Sequence, residues 1–85
     1  MYKIIYHLKA FKQLKKLPRQ DQIKITQAIY KLQKNPFSKQ LNIRRFHRTQ
    51  KSYRIRIGSL RAIYEIDNQN KEIYIRYLGY RGQIY

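Results

Sequence analysis

Ser52–Leu78, SYRIRIGSLRAIYEIDNQNKEIYIRYL, decides the fold: three runs of alternating apolar and polar residues are separated by two turn signals. Tyr53, Ile55 and Ile57 alternate with Arg54 and Arg56. Leu60, Ala62, Tyr64 and Ile66 alternate with Arg61, Ile63 and Glu65, and Ile73, Ile75 and Tyr77 alternate with Glu72, Tyr74 and Arg76. A period of two sends successive side chains to opposite faces, so each run reads as a strand with one face toward a core. Gly58–Ser59 supplies a two-residue hairpin turn and Asp67 to Lys71 the next. Gly79 closes the last strand, about 72 to 78.

Toward the N-terminus, residues 2–7, YKIIYH, are rich in β-branched and aromatic types and read as a further strand. From Ala10 the period changes. Phe11, Leu14 and Leu17 recur at helical spacing, and Pro18 halts that helix. A second helix starts near Asp21, where an acid suits the dipole, and carries the stripe Ile25, Ala28, Ile29 and Leu32 as far as Asn35–Pro36. So short a link predicts an antiparallel helical hairpin. Residues 36–50, PFSKQLNIRRFHRTQ, hold no sustained period and read as a basic loop in which Leu41, Ile43 or Phe46 tacks onto the core. The expected order is βααβββ. This is an α+β fold, an antiparallel or mixed sheet with the helical hairpin packed on one face, forming a single domain over residues 1–85.

Register turns this pattern into a site. With Gly58 and Ser59 at the turn, Arg56 falls opposite Arg61 and Ile55 opposite Ala62. A four-residue turn at Asn68 to Lys71 sets Ile66 against Ile73 and Ile63 against Arg76. Arg54, Arg56, Arg61 and Arg76 then share the face away from the core. Like charges directly across an antiparallel pair are destabilising, so stability alone does not select this arrangement. An ordinary solvated sheet face is the bland explanation. Such a face mixes signs, however, whereas this one offers Glu65 to four guanidinium groups.

Charge agrees with that reading. Lys and Arg number 20 against 4 Asp and Glu, a net charge of +16. Solubility needs a magnitude of only about 2 to 8 in a small domain. The excess points to a polyanion or an acidic protein as partner. No cysteine is present, which excludes disulfides and thiolate metal sites and suits a cytoplasmic setting. No apolar run reaches the roughly 20 residues of a spanning helix, and the N-terminus lacks the pattern of an export signal, so no membrane role is expected.

The chemistry is bounded by what the chain lacks. Asp21, Glu65, Asp67 and Glu72 are spread along the sequence, and His7 and His47 are separated by the whole helical pair, so no metal site or cofactor is expected. A metal-free route is open to RNA, which carries its own nucleophile in the 2′-hydroxyl. Guanidinium forks bind phosphate bidentately, and Tyr74 on the same face offers a ring for a base, so single-stranded RNA fits the surface. Arginine, with a pKa above about 12, is a poor proton acceptor. Composition and register do not separate a nuclease from a passive RNA-binding protein.

The segment from Ser52 onward, SYRIRIGSLRAIYEIDNQNKEIYIRYLGYRGQIY, resembles the C-terminal half of RelE-type toxins of toxin–antitoxin pairs. The resemblance lies in a Tyr-Arg-x-Arg-x-Gly segment, a following strand led by arginine, and a Gly-x-Arg segment followed by a tyrosine. The N-terminal half is similar too, with a helix ending in Lys16-Leu17-Pro18 and another closing at Asn35-Pro36. The resemblance to this RelE/ParE superfamily implies a ribosome-dependent, metal-independent endoribonuclease toxin that cuts messenger RNA and is inhibited by an acidic cognate antitoxin. Carried over by position, Arg54 and Arg56 are the basic pair of one strand and Arg61 grips the scissile phosphate. Arg81 stabilises charge or protonates the leaving oxygen, and Tyr85 orients or deprotonates the nucleophile; Glu65 has no counterpart in the resemblance and is the reserve base by its place on the arginine face. Arg45, Arg76 and Tyr74 are expected substrate contacts, and ribosomal RNA a further partner. The sequence departs from the family at Tyr80, where a histidine is usual, and at Arg54 and Arg56, where lysines stand in well-known members. Two other readings stay open: the ParE branch, which inhibits DNA gyrase without nuclease activity, and a non-catalytic RNA-binding protein.

Overall fold

The computed structural model describes residues 1–37, 41–45 and 52–80. The elements run β1 (Lys3–Tyr6), α1 (Leu8–Lys16), α2 (Arg19–Lys34), β2 (Asn42–Arg45), β3 (Ser52–Ile57), β4 (Leu60–Asp67) and β5 (Glu72–Tyr80). Five strands form one mixed sheet in the order β1-β5-β4-β3-β2, with β1 parallel to β5 and the other neighbours antiparallel. The α+β class and the three C-terminal strands follow the alternation. β2 does not: its Asn-Ile-Arg-Arg run lies inside the stretch read as loop and is too short to show a period.

The turns follow their chemistry. Gly58 takes φ +58° at the first position of the two-residue β3–β4 loop, the left-handed geometry glycine adopts without steric cost. In the β4–β5 turn, Asp67 Oδ1 accepts hydrogen bonds from the backbone N–H groups of Gln69 and Asn70, both at 3.1 Å. Tyr2 ties the N-terminus to the same turn, its hydroxyl donating to Asn68 Oδ1 at 2.8 Å.

One apolar cluster joins the helices to the sheet: Ala10 and Leu17 from the α1 side, Ile25, Ala28, Ile29 and Leu32 from α2, and Ile55, Leu60, Ala62, Tyr64, Ile66, Ile73, Ile75 and Leu78 from the strands. α1 runs beside β5 and β1, while α2 lies over β3 and β4. The α2 stripe is the expected one. Phe11, expected in the α1 stripe, is instead exposed beneath Lys15, whose Nζ stands 4.8 Å from the ring centroid. Ala10, Leu14 and Leu17 supply the inward side of α1 instead.

α1 also completes the sheet edge. β1 stops at Tyr6, and past that point Leu78 donates its backbone N–H to Gln13 Oε1 at 2.8 Å. A side chain thus replaces the ladder partner that a longer β1 would supply.

Candidate nucleic-acid interface

Residues directly opposite in a ladder point to the same face, so register fixes what the sheet presents on the side away from the helices. Arg56 pairs with Arg61 and Ile55 with Ala62, as the turn at Gly58–Ser59 requires. Arg54 pairs with Ile63 on the same open face. On its other side Arg54 meets Arg44 of β2, which makes a second like-charge pair across adjacent strands. Sequence reasoning missed Arg44 because it missed the strand. Had Ile43 been paired with Ile55, the neighbouring arginine would have fallen to the open face automatically.

Arg45 goes the other way. It pairs with Tyr53, whose ring stacks on the fully buried Tyr64 with centroids 5.9 Å apart, so Arg45 belongs to the helix side and does not join the arginine face. A one-residue step along a strand reverses the face, so Arg44 and Arg45 stand on opposite sides of the sheet.

β5 holds the second correction. Ile66 pairs with Ile73 as expected, but the register slips between Ile63 and Tyr64, so Ile63 faces Tyr77 rather than Arg76 and Tyr64 faces Ile75. Arg76 is the extra residue of a bulge. It stays on the open face, with Nη1 3.4 Å from Glu65 Oε1. Tyr77, expected on the core side, is turned to the open face, and Leu78 takes the core position opposite Ala62.

The open face is electrically graded. Arg44, Arg54, Arg56 and Arg61 gather at the end bearing the Gly58–Ser59 turn, while Glu65, Asp67 and Glu72 lie toward the β4–β5 turn. Arg61 is only 7% exposed and is the most enclosed arginine among the described residues of this face. Tyr74 sits at the acidic end and donates its hydroxyl to Glu72 Oε1 at 2.7 Å, a bond that pushes its phenol above the ordinary range. Among the described residues no group of three His, Cys, Asp or Glu lies close enough to hold a metal ion, and no helix is long and apolar enough to cross a membrane.

Tyr80, which stands where the resembling family has histidine, pairs with Leu60 and packs against the core. Its hydroxyl donates to Asp21 at the start of α2, and that bond raises the phenol's pKa. It therefore points away from the arginine face. Arg81 and Tyr85, the two tail residues expected at the site, lie outside the described residues.

A five-stranded mixed sheet with two helices on one side is the architecture of RelE toxins. The archaeal RelE–RelB complex from Pyrococcus horikoshii superposes with a TM-score of 0.83 and 26% identity, over 96% of this chain and 97% of that chain. The RelB–RelE antitoxin–toxin complex from Methanococcus jannaschii gives 0.75 and 23%, over 91% and 89%. The intact E. coli RelBE toxin–antitoxin complex gives 0.83 and 15%, over 98% and 100%, a likeness of fold alone. None of the curated proteins matches the chain. Residues 4–85 match the family model of the ParE toxin of type II toxin–antitoxin systems. The chain belongs to that family, within the RelE/ParE superfamily, and is a toxin of a toxin–antitoxin system.

Proposed function

We propose that this toxin is a ribosome-dependent, metal-independent endoribonuclease acting on messenger RNA, built as one domain over residues 1–85. The observation that carries the reading is the doubled arginine pairing, Arg44 with Arg54 and Arg56 with Arg61, around an enclosed Arg61. Such pairs oppose folding, and a bound phosphate backbone turns that repulsion into attraction.

In the proposed reaction the 2′ oxygen attacks the scissile phosphorus and the bond from phosphorus to the 5′ oxygen breaks. The products are a 2′,3′-cyclic phosphate and a 5′-hydroxyl. Arg61, with Arg54 and Arg56, neutralises the charge that develops on the phosphorane oxygens. By resemblance, Tyr85 takes the 2′ proton and Arg81 supplies one to the leaving oxygen; Glu65 is the reserve base on the strength of its position alone. Glu65 stands against Arg76, within reach of the same face. Arg76 and Tyr74 contact the substrate farther along. The ribosome would align the message for attack.

The cytoplasm is the proposed setting, and the partner an acidic antitoxin. A cavity of about 300 Å³ lies between α2 and the end of β3, with Lys24, Lys31 and Arg56 at its rim and Ala28, Leu41 and Ile57 in its lining. An acidic amphipathic segment suits that lining and would reach Arg56, one of the arginines of the open face.

The family match favours a second reading, in which the toxin inhibits DNA gyrase and cuts no RNA. Two parallel assays separate them. The nuclease reading expects discrete cuts in a message only while ribosomes translate it, with plasmid supercoiling by gyrase unchanged. Blocked supercoiling with an intact message would establish the second reading, and neither effect would leave a passive RNA-binding protein.

A further inference from the structure

The bulge at Arg76 does more than extend the arginine row. Because Ile63 faces Tyr77 while Tyr64 faces Ile75, the consecutive residues Arg76 and Tyr77 both reach the open face. Unbroken alternation would send Tyr77 into the helix-side core and Leu78 outward. Bulges disrupt a ladder locally and re-aim a side chain, and they recur beside active sites.

Tyr77 is partly exposed and takes no part in the helix-side core. Lys9, in the first turn of α1, holds its Nζ 4.7 Å from the Tyr77 ring centroid. Lys9 is exposed and, among the described residues, has no carboxylate within ion-pair distance. Tyr77 lies opposite Ile63, two residues along β4 from Arg61, and is therefore Arg61's diagonal neighbour, at a separation of about 7–8 Å between such positions. An aromatic ring and an ammonium thus stand together beside the most enclosed arginine. Tyr74 is poorly placed for the same task, with its hydroxyl engaged by Glu72 and Glu65 opposite it.

We propose that Tyr77 and Lys9 form a nucleotide subsite at the α1 margin of the arginine face. The ring stacks on one nucleobase of a single-stranded RNA whose phosphate is held by Arg61, and Lys9 pairs with the adjoining phosphate. This rests on the reading of the arginine face as an RNA surface. A base inside a duplex has both π-faces covered, so the subsite selects single strands. The competing explanation is that Tyr77 merely covers Ile63, which is 4% exposed.

Substitution separates the two. Tyr77→Leu keeps an apolar cover and removes the ring, while Tyr77→Phe keeps both. Binding is measured by fluorescence anisotropy with a labelled single-stranded oligoribonucleotide and, in competition, with inorganic polyphosphate, which has no bases. Tyr77→Phe is expected to match wild type on both. Tyr77→Leu should weaken RNA binding about 5- to 150-fold and leave polyphosphate binding unchanged. Lys9→Ala should weaken both and lower the salt slope of RNA binding by about 0.7.

Wild-type RNA affinity in Tyr77→Leu overturns the subsite, as does an equal loss in Tyr77→Phe. If Tyr77→Leu does not fold, the Lys9→Ala slope decides, and an unchanged slope overturns the proposal. Arg54→Ala and Arg56→Ala, measured alongside, test the parent reading separately. Loss in these with none in Tyr77→Leu keeps the face and removes the subsite. Loss in Tyr77→Leu with none in Arg54→Ala and Arg56→Ala removes the arginine-face reading and, with it, the subsite as proposed.

Discussion

Arg56 on β3 lies directly opposite Arg61 on β4, one pair in from the Gly58–Ser59 turn. Arg56 is exposed and Arg61 enclosed, so the repulsion between them is only partly screened by solvent. Arg56→Gln is expected to raise folding stability by a few tenths to about 1 kcal/mol. In a domain of this size the unfolding midpoint then rises by up to about 4–8 °C. RNA affinity should fall at the same time. Calorimetry at low and high salt checks the cause, since screening should narrow the stability gap. A variant that is less stable yet binds RNA normally contradicts the account.

Glu65 holds Arg76 at 3.4 Å with both side chains partly exposed, so the pair contributes less than about 1 kcal/mol to stability. Glu65→Gln should leave the unfolding midpoint nearly unchanged and tighten RNA binding by releasing Arg76 to phosphate. Its cleavage rate assigns the base. Retained single-turnover cleavage leaves the proton to Tyr85, and abolished cleavage with intact binding moves the role to Glu65.

Tyrosines govern the alkaline limit. Tyr64 is fully buried, and burial, with Tyr53 beside it, pushes its phenol well above the ordinary value of about 10. Tyr6, Tyr74 and Tyr80 shift the same way, through burial, the Glu72 hydrogen bond and the Asp21 hydrogen bond respectively. A raised folded-state pKa means the native protein holds protons that the unfolded chain releases. Stability is therefore fully present below about pH 10 and is lost as pH climbs toward the folded values. Among the described residues Tyr64 Oη has no hydrogen-bond partner, so Tyr64→Phe should add about 1 kcal/mol and flatten the alkaline decline. Urea unfolding at neutral and alkaline pH measures both effects.

Gln13 stands in for a missing length of β1 at the Leu78 N–H. Gln13→Leu leaves a part-buried donor unsatisfied and should cost about 1–3 kcal/mol. Hydrogen exchange at Leu78 should accelerate more than exchange at Ile55 on β3, which is flanked by β2 and β4. Equal acceleration at both would point to a global loss instead.

The sequence made the arginine face legible where two local signals agreed. Gly58–Ser59 fixed the β3–β4 register, and strict alternation on both sides then carried Arg54, Arg56 and Arg61 to one face. β2 was illegible because four residues with one apolar position carry no measurable period, and Arg44 and Arg45 went with it. The bulge was hidden because no glycine marks it. Its trace is a broken period, Ile73 and Ile75 followed by Leu78 and Tyr80, which alternation continued through Tyr77 obscures. Phe11 misled by its hydrophobicity: Ala10 lies on the inner side of α1, while Phe11, one residue on, stays exposed.

Primer extension on a message under translation tests the nuclease reading most directly, with wild-type protein, Arg61→Ala and Arg61→Lys compared at equal occupancy. The account predicts discrete cuts by the wild type, none with alanine, and strongly reduced cutting with lysine, which keeps the charge but loses the bidentate fork. Cuts by Arg61→Ala at the wild-type sites and rate would contradict it.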